Sequence, residues 1–352
     1  MYIQSNLNFV RQKLRFVFIF LLIIFLTSCQ SKPTRQRYQS VNVAYGERVS
    51  MDVCIDPDDQ GRVEAATQEA WEAVSKVEHL IDIWDPQSEA AQVNRSYGHP
   101  VKVSPKMYAL LKEAVGYSTL TKGTFDITVQ PLIQLWKKSA AKGHPPSKEE
   151  IDEVRKAVGV KYISFLPDNT VELLNPQTKI DLGGLGANVA VDDAVGVLRK
   201  HNYHDFMVAA AGDMYMSGHN CKGEPWQIGI LNPLDKSKFV DVLSVSDMAV
   251  STSGDYERFL VIEGKKYSHD MNPITGYPQT GTTSGTAIAP SIKEAGALAK
   301  ALVIFSPAQA TSLMDALGPP YASMVIYKPT EDSLQLFPSH QYGLYVHDRR
   351  KS

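Results

Sequence analysis

Cysteine is scarce in this chain: three residues in 352, none of them in a Cys-x-x-Cys pair. That excludes a disulfide-built scaffold and leaves no paired thiols for a zinc or dithiol centre. An excess of one charge is also missing, since 36 Lys and Arg face 38 Asp and Glu for a net of −2. Without a basic run or stripe there is no surface on which nucleic acid would release its counterions, and a nucleic-acid partner is excluded. The longest apolar run, Phe16 to Leu26, spans only about 16 Å as a helix, roughly half a bilayer core. Walker, Gly-x-Ser-x-Gly and His-Glu-x-x-His signatures are absent, which removes the commonest nucleotide triphosphatase, hydrolase and metalloprotease readings. Gly184-Leu185-Gly186-Ala187-Asn188-Val189 approaches the dinucleotide fingerprint but lacks its third glycine and its βαβ surroundings. His201 and His204 fall just past a helix end, where solvated rings are expected rather than a metal pair. The remaining composition, 43% hydrophobic with Gly 23 and Pro 20, is that of an ordinary globular protein.

What is present begins with Arg11, Lys13 and Arg15, followed by the apolar run and by Leu26-Thr27-Ser28-Cys29. This order reads as a signal peptide. Its end resembles a bacterial lipobox, in which Cys29 is acylated and becomes the new N-terminus. Each buried methylene contributes about 0.8 kcal/mol, so a few acyl chains hold a protein at a bilayer without a spanning segment. The expected organisation is a signal peptide over 1–28, a lipidated Cys29 with a polar tether over 29–40, one domain over 41–340 and a polar tail over 341–352. The protein is then expected on the extracytoplasmic face of a bacterial envelope. Loss of residues 1–28 removes three basic and no acidic side chains, leaving −5. Cys54 and Cys221 would both lie in an oxidising compartment, and the sequence leaves open whether they pair or stay as two buried thiols.

Apolar spacing predicts a helix over Ala66–Trp84, another from the Ser104-Pro105 cap, and a third over Ser147–Val158 with a Ser147/Glu150 capping box. Further helices are expected over Val189–Lys200 and about Lys293–Phe305. Short β-type runs fall at Tyr162–Leu166, Val171–Leu174, Phe206–Ala210, Trp226–Leu231, Phe239–Val245, Phe259–Ile262, Gly285–Ala289 and Ser323–Tyr327. The fold class is α+β, with mixed or antiparallel sheets flanked by helices.

Dense polar and glycine-rich segments punctuate this pattern. They are Thr121 to Leu132, Asp181 to Asp192, Ala211-Gly212-Asp213, Ser251-Thr252-Ser253-Gly254-Asp255-Tyr256-Glu257-Arg258, and Ser268-His269-Asp270-Met271-Asn272-Pro273-Ile274-Thr275-Gly276-Tyr277-Pro278. A glycine-rich start to a helix presents free N–H groups and the positive end of its dipole, a suitable place for phosphate, although glycines equally mark close packing. In order and spacing these segments resemble the ApbE family of FAD:protein FMN transferases, from about Val41 to Leu317. The resemblance implies an extracytoplasmic enzyme that splits the pyrophosphate of FAD and moves FMN to a Thr or Ser hydroxyl of a target protein, releasing AMP with the help of magnesium. Its targets would be exported or membrane flavoproteins of redox complexes. By the same resemblance Asp126, Ile127 and Thr128 line the flavin or adenine pocket, and Trp84 is placed to stack on a flavin ring. Asp181 contacts FAD, and Gly183 and Gly184 bring backbone oxygen near the metal. Thr252, Ser253, Gly254 and Asp255 lie by the adenosine and pyrophosphate, while His269 and Asp270 open the segment that closes over the nucleotide.

The chain departs from the family pattern where charge matters most. Ala187 and Asn188 replace a Lys-Gly pair, and Asn272 and Ile274 replace an Asp and a frequent Arg. Gly296 and Lys300 stand where the family has a magnesium-binding Asp and Thr four residues apart on one helix face. Neither is an ordinary magnesium ligand. Gly296 also costs its helix about 1 kcal/mol relative to Ala, so a close approach by another group is expected there. Two readings follow: an enzyme with Asp255, His269 and the Lys300 ammonium in catalytic roles, or a non-catalytic paralogue that holds FAD or acts as a scaffold.

Overall fold

The computed structural model describes residues 35–96, 98–254, 259–280, 282–330 and 332–347; Cys29, the apolar run before it and Asp255 lie outside them. The strands are β1 (Gln36–Ala44), β2 (Glu47–Ile55), β3 (Val101–Lys102), β4 (Ile163–Leu166), β5 (Thr170–Leu173), β6 (Phe206–Ala210), β7 (Asp213–Ser217) and β8 (Trp226–Asn232). They continue as β9 (Asp235–Val245), β10 (Met248–Gly254), β11 (Phe259–Ile262), β12 (Lys265–Ser268), β13 (Thr282–Ala289), β14 (Ala322–Thr330) and β15 (Ser333–Pro338). The helices are α1 (Gln60–Ile81), α2 (Glu89–Asn94), α3 (Pro105–Leu120), α4 (Gln130–Lys142), α5 (Lys148–Arg155), α6 (Gly183–Lys200), α7 (Ile292–Ile304) and α8 (Pro307–Leu317).

An eight-stranded sheet, ordered β1-β2-β6-β7-β10-β13-β14-β15 and antiparallel at every pairing, divides the molecule into layers. Successive side chains on a strand point to opposite faces, and the sequence uses both. Ala249, Ala287, Ala289 and Val325 join one core, whereas Val250, Ile288, Met324 and Ile326 join another. The first face carries α1 over β1 and β2, α6 over β6 and β7, α7 over β10 and β13, and α8 over β14 and β15. Small residues set that spacing: a Cβ on Gly285 would lie 2.8 Å from Leu302 Cβ. The opposite face is covered by the β8–β9 hairpin through Trp226, Ile228, Ile230, Leu243 and Val245. Cys54 and Cys221 are joined, with Cα atoms 5.1 Å apart across 167 residues, which resolves the pairing that the sequence leaves open.

A second group of elements sits beyond the helix layer. The small β3-β5-β4 sheet and α3 share a core with Phe125, Ile127, Leu182, Leu185, Ala297 and Ala301. The helices α4 and α5 pack with the β11–β12 hairpin around Leu132, Trp136, Ile151, Ile262 and Met271.

The α+β class is thus observed, as are both expected caps. Ser104 Oγ accepts from Met107 N, and Ser147 and Glu150 complete their capping box. The boundaries differ at both ends. Residues 36–40, read as tether, form the first half of β1, because they pair with β2. The stretch read as a polar tail instead docks on β9: Tyr342 is buried, Ser244 N donates to Tyr345 O at 2.7 Å and His347 N to Val242 O at 2.8 Å. Among the described residues no helix is long and apolar enough to cross a membrane.

Candidate active site

The glycine-rich segment is itself helical, since α6 begins at Gly183 rather than at Val189. Two of its glycines face close neighbours. A Cβ on Gly186 would sit 2.7 Å from Ile81 Cδ1, so this residue lets α1 close on α6. A Cβ on Gly184 would sit 3.1 Å from Lys300 Cε, because the Lys300 side chain lies across the start of α6. From there the two helices pair antiparallel in steps of about one turn. Gly184 faces Lys300, Asn188 faces Gly296, and Asp192 Oδ2 meets Lys293 Nζ at 3.1 Å. Glu113 reaches the same ammonium at 2.7 Å. Burial works against the Lys293 charge, but the two carboxylates outweigh it and hold the ammonium above its usual range.

Other segments join this start of α6 in a closed circuit. Asp181 N donates to Ile127 O at 2.7 Å, and just ahead of α6 Asp181 Oδ1 accepts from Gly183 N at 2.8 Å. Burial raises the Asp181 carboxyl above the usual range, against the pull of that N–H and of the Lys137 charge. Asp126 is buried beside it and organises its own loop. Its Oδ1 accepts from Thr128 N at 2.7 Å and Thr128 Oγ1 at 2.6 Å, while Oδ2 accepts from Val160 N at 3.2 Å. Burial again lifts its pKa, partly offset by those bonds. Thr128 Oγ1 in turn accepts from Gly159 N at 2.6 Å. From this loop α4 leads to the 269–278 turn, where Trp136 Nε1 donates to Gly276 O at 2.9 Å. Gly276 has φ +77°, and a Cβ there would lie 2.5 Å from Ile151 Cγ2. Asn272 Oδ1 closes the turn by accepting from Ile274 N and Thr275 N at 2.9 and 3.1 Å.

The turn reaches the large sheet through Asp270, whose Oδ2 accepts from Ser253 Oγ at 3.3 Å, with His269 Nε2 3.6 Å from Oδ1. The His269 side chain is 42% exposed and that of Asp270 only 11%. Ser253 pairs with Gly285, and a Cβ on Gly285 would come within 3.3 Å of Ala299 O, next to Lys300. Thr252 and Thr286 share a hydroxyl hydrogen bond at 2.9 Å, Thr252 N donates to Gly212 O at 3.2 Å, and Ser251 Oγ donates to Asp213 Oδ1. Gly254 ends β10 opposite Ser284.

Asp126, Ile127, Thr128, Asp181, Gly184, Thr252, Ser253, Gly254, His269, Asp270, Gly296 and Lys300 are therefore strung around one ring of contacts. Ala187 is partly buried against the helix-side core, and Trp84, 68% exposed, stands three residues beyond the Ile81 that touches Gly186. Asp255 and Cys29 fall outside the described residues. Sequence reasoning passed over three members of the ring. These are Asn188 as the group filling the space beside Gly296, Lys137 beside Asp181, and Thr286 opposite Thr252. Only Asn188 left a signal, because a glycine inside a helix requires a neighbour.

The profile of the ApbE family matches residues 45–324, the span that contains all of these segments. The chain belongs to the ApbE family. Among curated proteins it is similar to an FAD:protein FMN transferase of Vibrio cholerae, 27% identical over 278 residues, covering 78% of this chain and 82% of that one. It is also similar to an FAD:protein FMN transferase of Escherichia coli K12, 25% identical over 338 residues, covering 92% and 95%. Among solved structures, the ApbE protein of Thermotoga maritima superposes with a TM-score of 0.79 at 28% identity, over 89% of this chain and all of that one. The flavin transferase ApbE of Vibrio cholerae gives 0.76 at 24% identity, over 88% and 99%, and speaks for the fold alone.

The magnesium ion that an ApbE protein implies does not fit the residues present. Among the described residues no group of three or more His, Cys, Asp or Glu is placed to hold a metal. Gly296 has no side chain, the space beside it is taken by the Asn188 carboxamide, and a cationic side chain lies over Gly184.

Proposed function

We propose that this chain is an FAD:protein FMN transferase. The observation that carries the reading is the family match over residues 45–324, in which every polar segment of the ring falls. In the reaction the oxygen of a target Thr or Ser hydroxyl bonds to the FMN phosphorus. The bond from that phosphorus to the bridging oxygen breaks, and AMP leaves with the oxygen. The ring offers groups for each need. The positive start of α6 has no acidic side chain in its first turn and, with the Lys300 ammonium, faces the dianionic pyrophosphate. His269, on an exposed turn with Asp270 against its ring, takes the hydroxyl proton. Exposed Trp84 at the rim offers a face for an aromatic ring of the nucleotide.

The targets are extracytoplasmic flavoproteins of membrane redox complexes, and the protein is held on the outer face of a bacterial membrane through acylated Cys29. The Cys54–Cys221 disulfide supports an oxidising compartment. The test mixes full-length protein in detergent with FAD and an exported protein that presents an exposed Thr. Covalent flavin fluorescence on the target and released AMP are then measured. Equal amounts of the two are expected; bound FAD with neither product refutes transfer.

A further inference from the structure

The antiparallel α6–α7 pair contains an unusual arrangement of charge and volume. Asn188 is fully buried, yet neither its Oδ1 nor its Nδ2 has a hydrogen-bond partner. A buried unpaired amide is disfavoured, so it persists only where something else holds it in place. Here the geometry supplies the reason. A Cβ on Gly296 would lie 2.5 Å from Asn188 Cγ and 2.6 Å from Nδ2, so the carboxamide occupies the space into which any side chain at 296 would grow. One helical turn away, Lys300 lies over Gly184, partly buried, and has no hydrogen-bond or ion-pair partner among the described residues. The positive start of a helix and an ammonium without a partner among the described residues therefore stand together; no acid lies in the first turn of α6, and the carboxyl just ahead of it, Asp181, is bonded to Gly183 N.

Resting on the reading of this chain as an FAD-binding transferase, we propose that it handles the pyrophosphate without a divalent metal. The Lys300 ammonium is the resident cation at the start of α6, and Asn188 closes the place from which a ligand side chain at 296 would reach a metal. The two features act in the same direction. A divalent ion at Gly184 would meet a like charge from Lys300, and a ligand side chain at 296 is blocked by the volume of Asn188. An anion meets the opposite situation, with Lys300 as a point-charge donor and the helix start behind it.

Two measurements on the full-length protein in detergent test this. Mn²⁺ is titrated in without nucleotide and the free-ion signal followed by electron paramagnetic resonance. FAD affinity is then compared in EDTA and in excess Mg²⁺ for the native chain and for Lys300→Met. The expected results are no stoichiometric uptake of Mn²⁺ and native FAD affinity equal within about twofold in the two buffers. Lys300→Met should bind FAD at least about tenfold more weakly in both, the loss expected for one charge-assisted contact. Stoichiometric Mn²⁺ uptake, a tenfold tightening of native FAD binding by Mg²⁺, or native affinity in a folded Lys300→Met would each overturn the proposal while leaving the transferase reading standing. No FAD binding by the native chain in either buffer overturns both. The native-chain measurements decide the matter even if the variant does not fold.

Discussion

Gly296→Ala is the perturbation whose outcome follows most directly from the α6–α7 interface. In an isolated helix the substitution is favourable by about 1 kcal/mol, because alanine has the higher helix propensity. Here the new methyl carbon would lie within 2.6 Å of Asn188 Cγ and Nδ2, and nearer still to Oδ1. Rotating the amide about its last bond moves Oδ1 and Nδ2 but leaves the Cγ contact at 2.5 Å in place. The side chain is fully buried, and overpacking of this kind costs about 1 to 3 kcal/mol. In the native background Gly296→Ala should therefore destabilise by up to about 2 kcal/mol. With Asn188→Ala the obstacle is gone, and the same change at 296 should stabilise by about 1 kcal/mol. The double-mutant cycle then yields a coupling of about 1 to 3 kcal/mol, read from urea unfolding curves with a common m-value. Additivity within about 0.5 kcal/mol would refute the account of Asn188 as the group that fills this space.

Further outcomes follow from other sites. Gly276→Ala must adopt a positive φ and meet Ile151, and a loss of about 2 to 3 kcal/mol in urea unfolding is expected; less than about 0.5 would show that the turn adapts. Reducing Cys54–Cys221, which closes a 167-residue separation, should cost about 2 to 5 kcal/mol, and an unchanged unfolding midpoint in dithiothreitol would contradict this. Asp126→Asn keeps the acceptor for Thr128 but turns a donor towards Val160 N, so stability should fall by about 1 to 2 kcal/mol; a gain would mean that relief of the buried charge dominates. Hydrogen bonds from Lys200 and then His201 lower the Glu69 carboxyl to about 2 from an ordinary 4.5. A depressed acid contributes in full above its unfolded pKa and loses that contribution as pH falls through the folded one, here between about 4.5 and 2. Carboxyl NMR should find Glu69 still ionised at pH 3, and a midpoint near 4 would refute the pairing.

The helices that bury one stripe, and those that start at Ser104-Pro105 and Ser147, were legible because periodicity and caps are local signals. The central strands β7 and β10 were not. Met248–Gly254 is rich in Ser, Thr and Gly, and Asp213–Ser217 is a short Met- and Tyr-bearing run with polar ends; both lie in the sheet, where partners satisfy their polar groups, Ser251 by Asp213 and Thr252 by Thr286. Helix α4 was missed because its first residues follow a polar segment that reads as a loop, although Trp136 and Leu132 anchor it in a core. The order of the motifs singles out candidate site residues, but their mutual placement is not legible in the sequence. Nothing local in Asn188 tells that it fills the space beside a residue more than a hundred positions away.

The pairing of β2 with β6 has a consequence for how the chain reaches this structure. The β1–β2 hairpin is complete at Ile55, yet its inner edge finds its partner only at Phe206–Ala210. Without β6 the hairpin is a two-stranded ribbon with an open edge, too small to be stable by itself. The β3-β5-β4 sheet and α3, all between residues 101 and 173, have their mutual partners much earlier. Pairing β2 with β6 therefore closes a loop of about 150 residues, whose entropy must be met before the strand contacts reward it, and until then the open edge of the ribbon is a place for unwanted strand pairing.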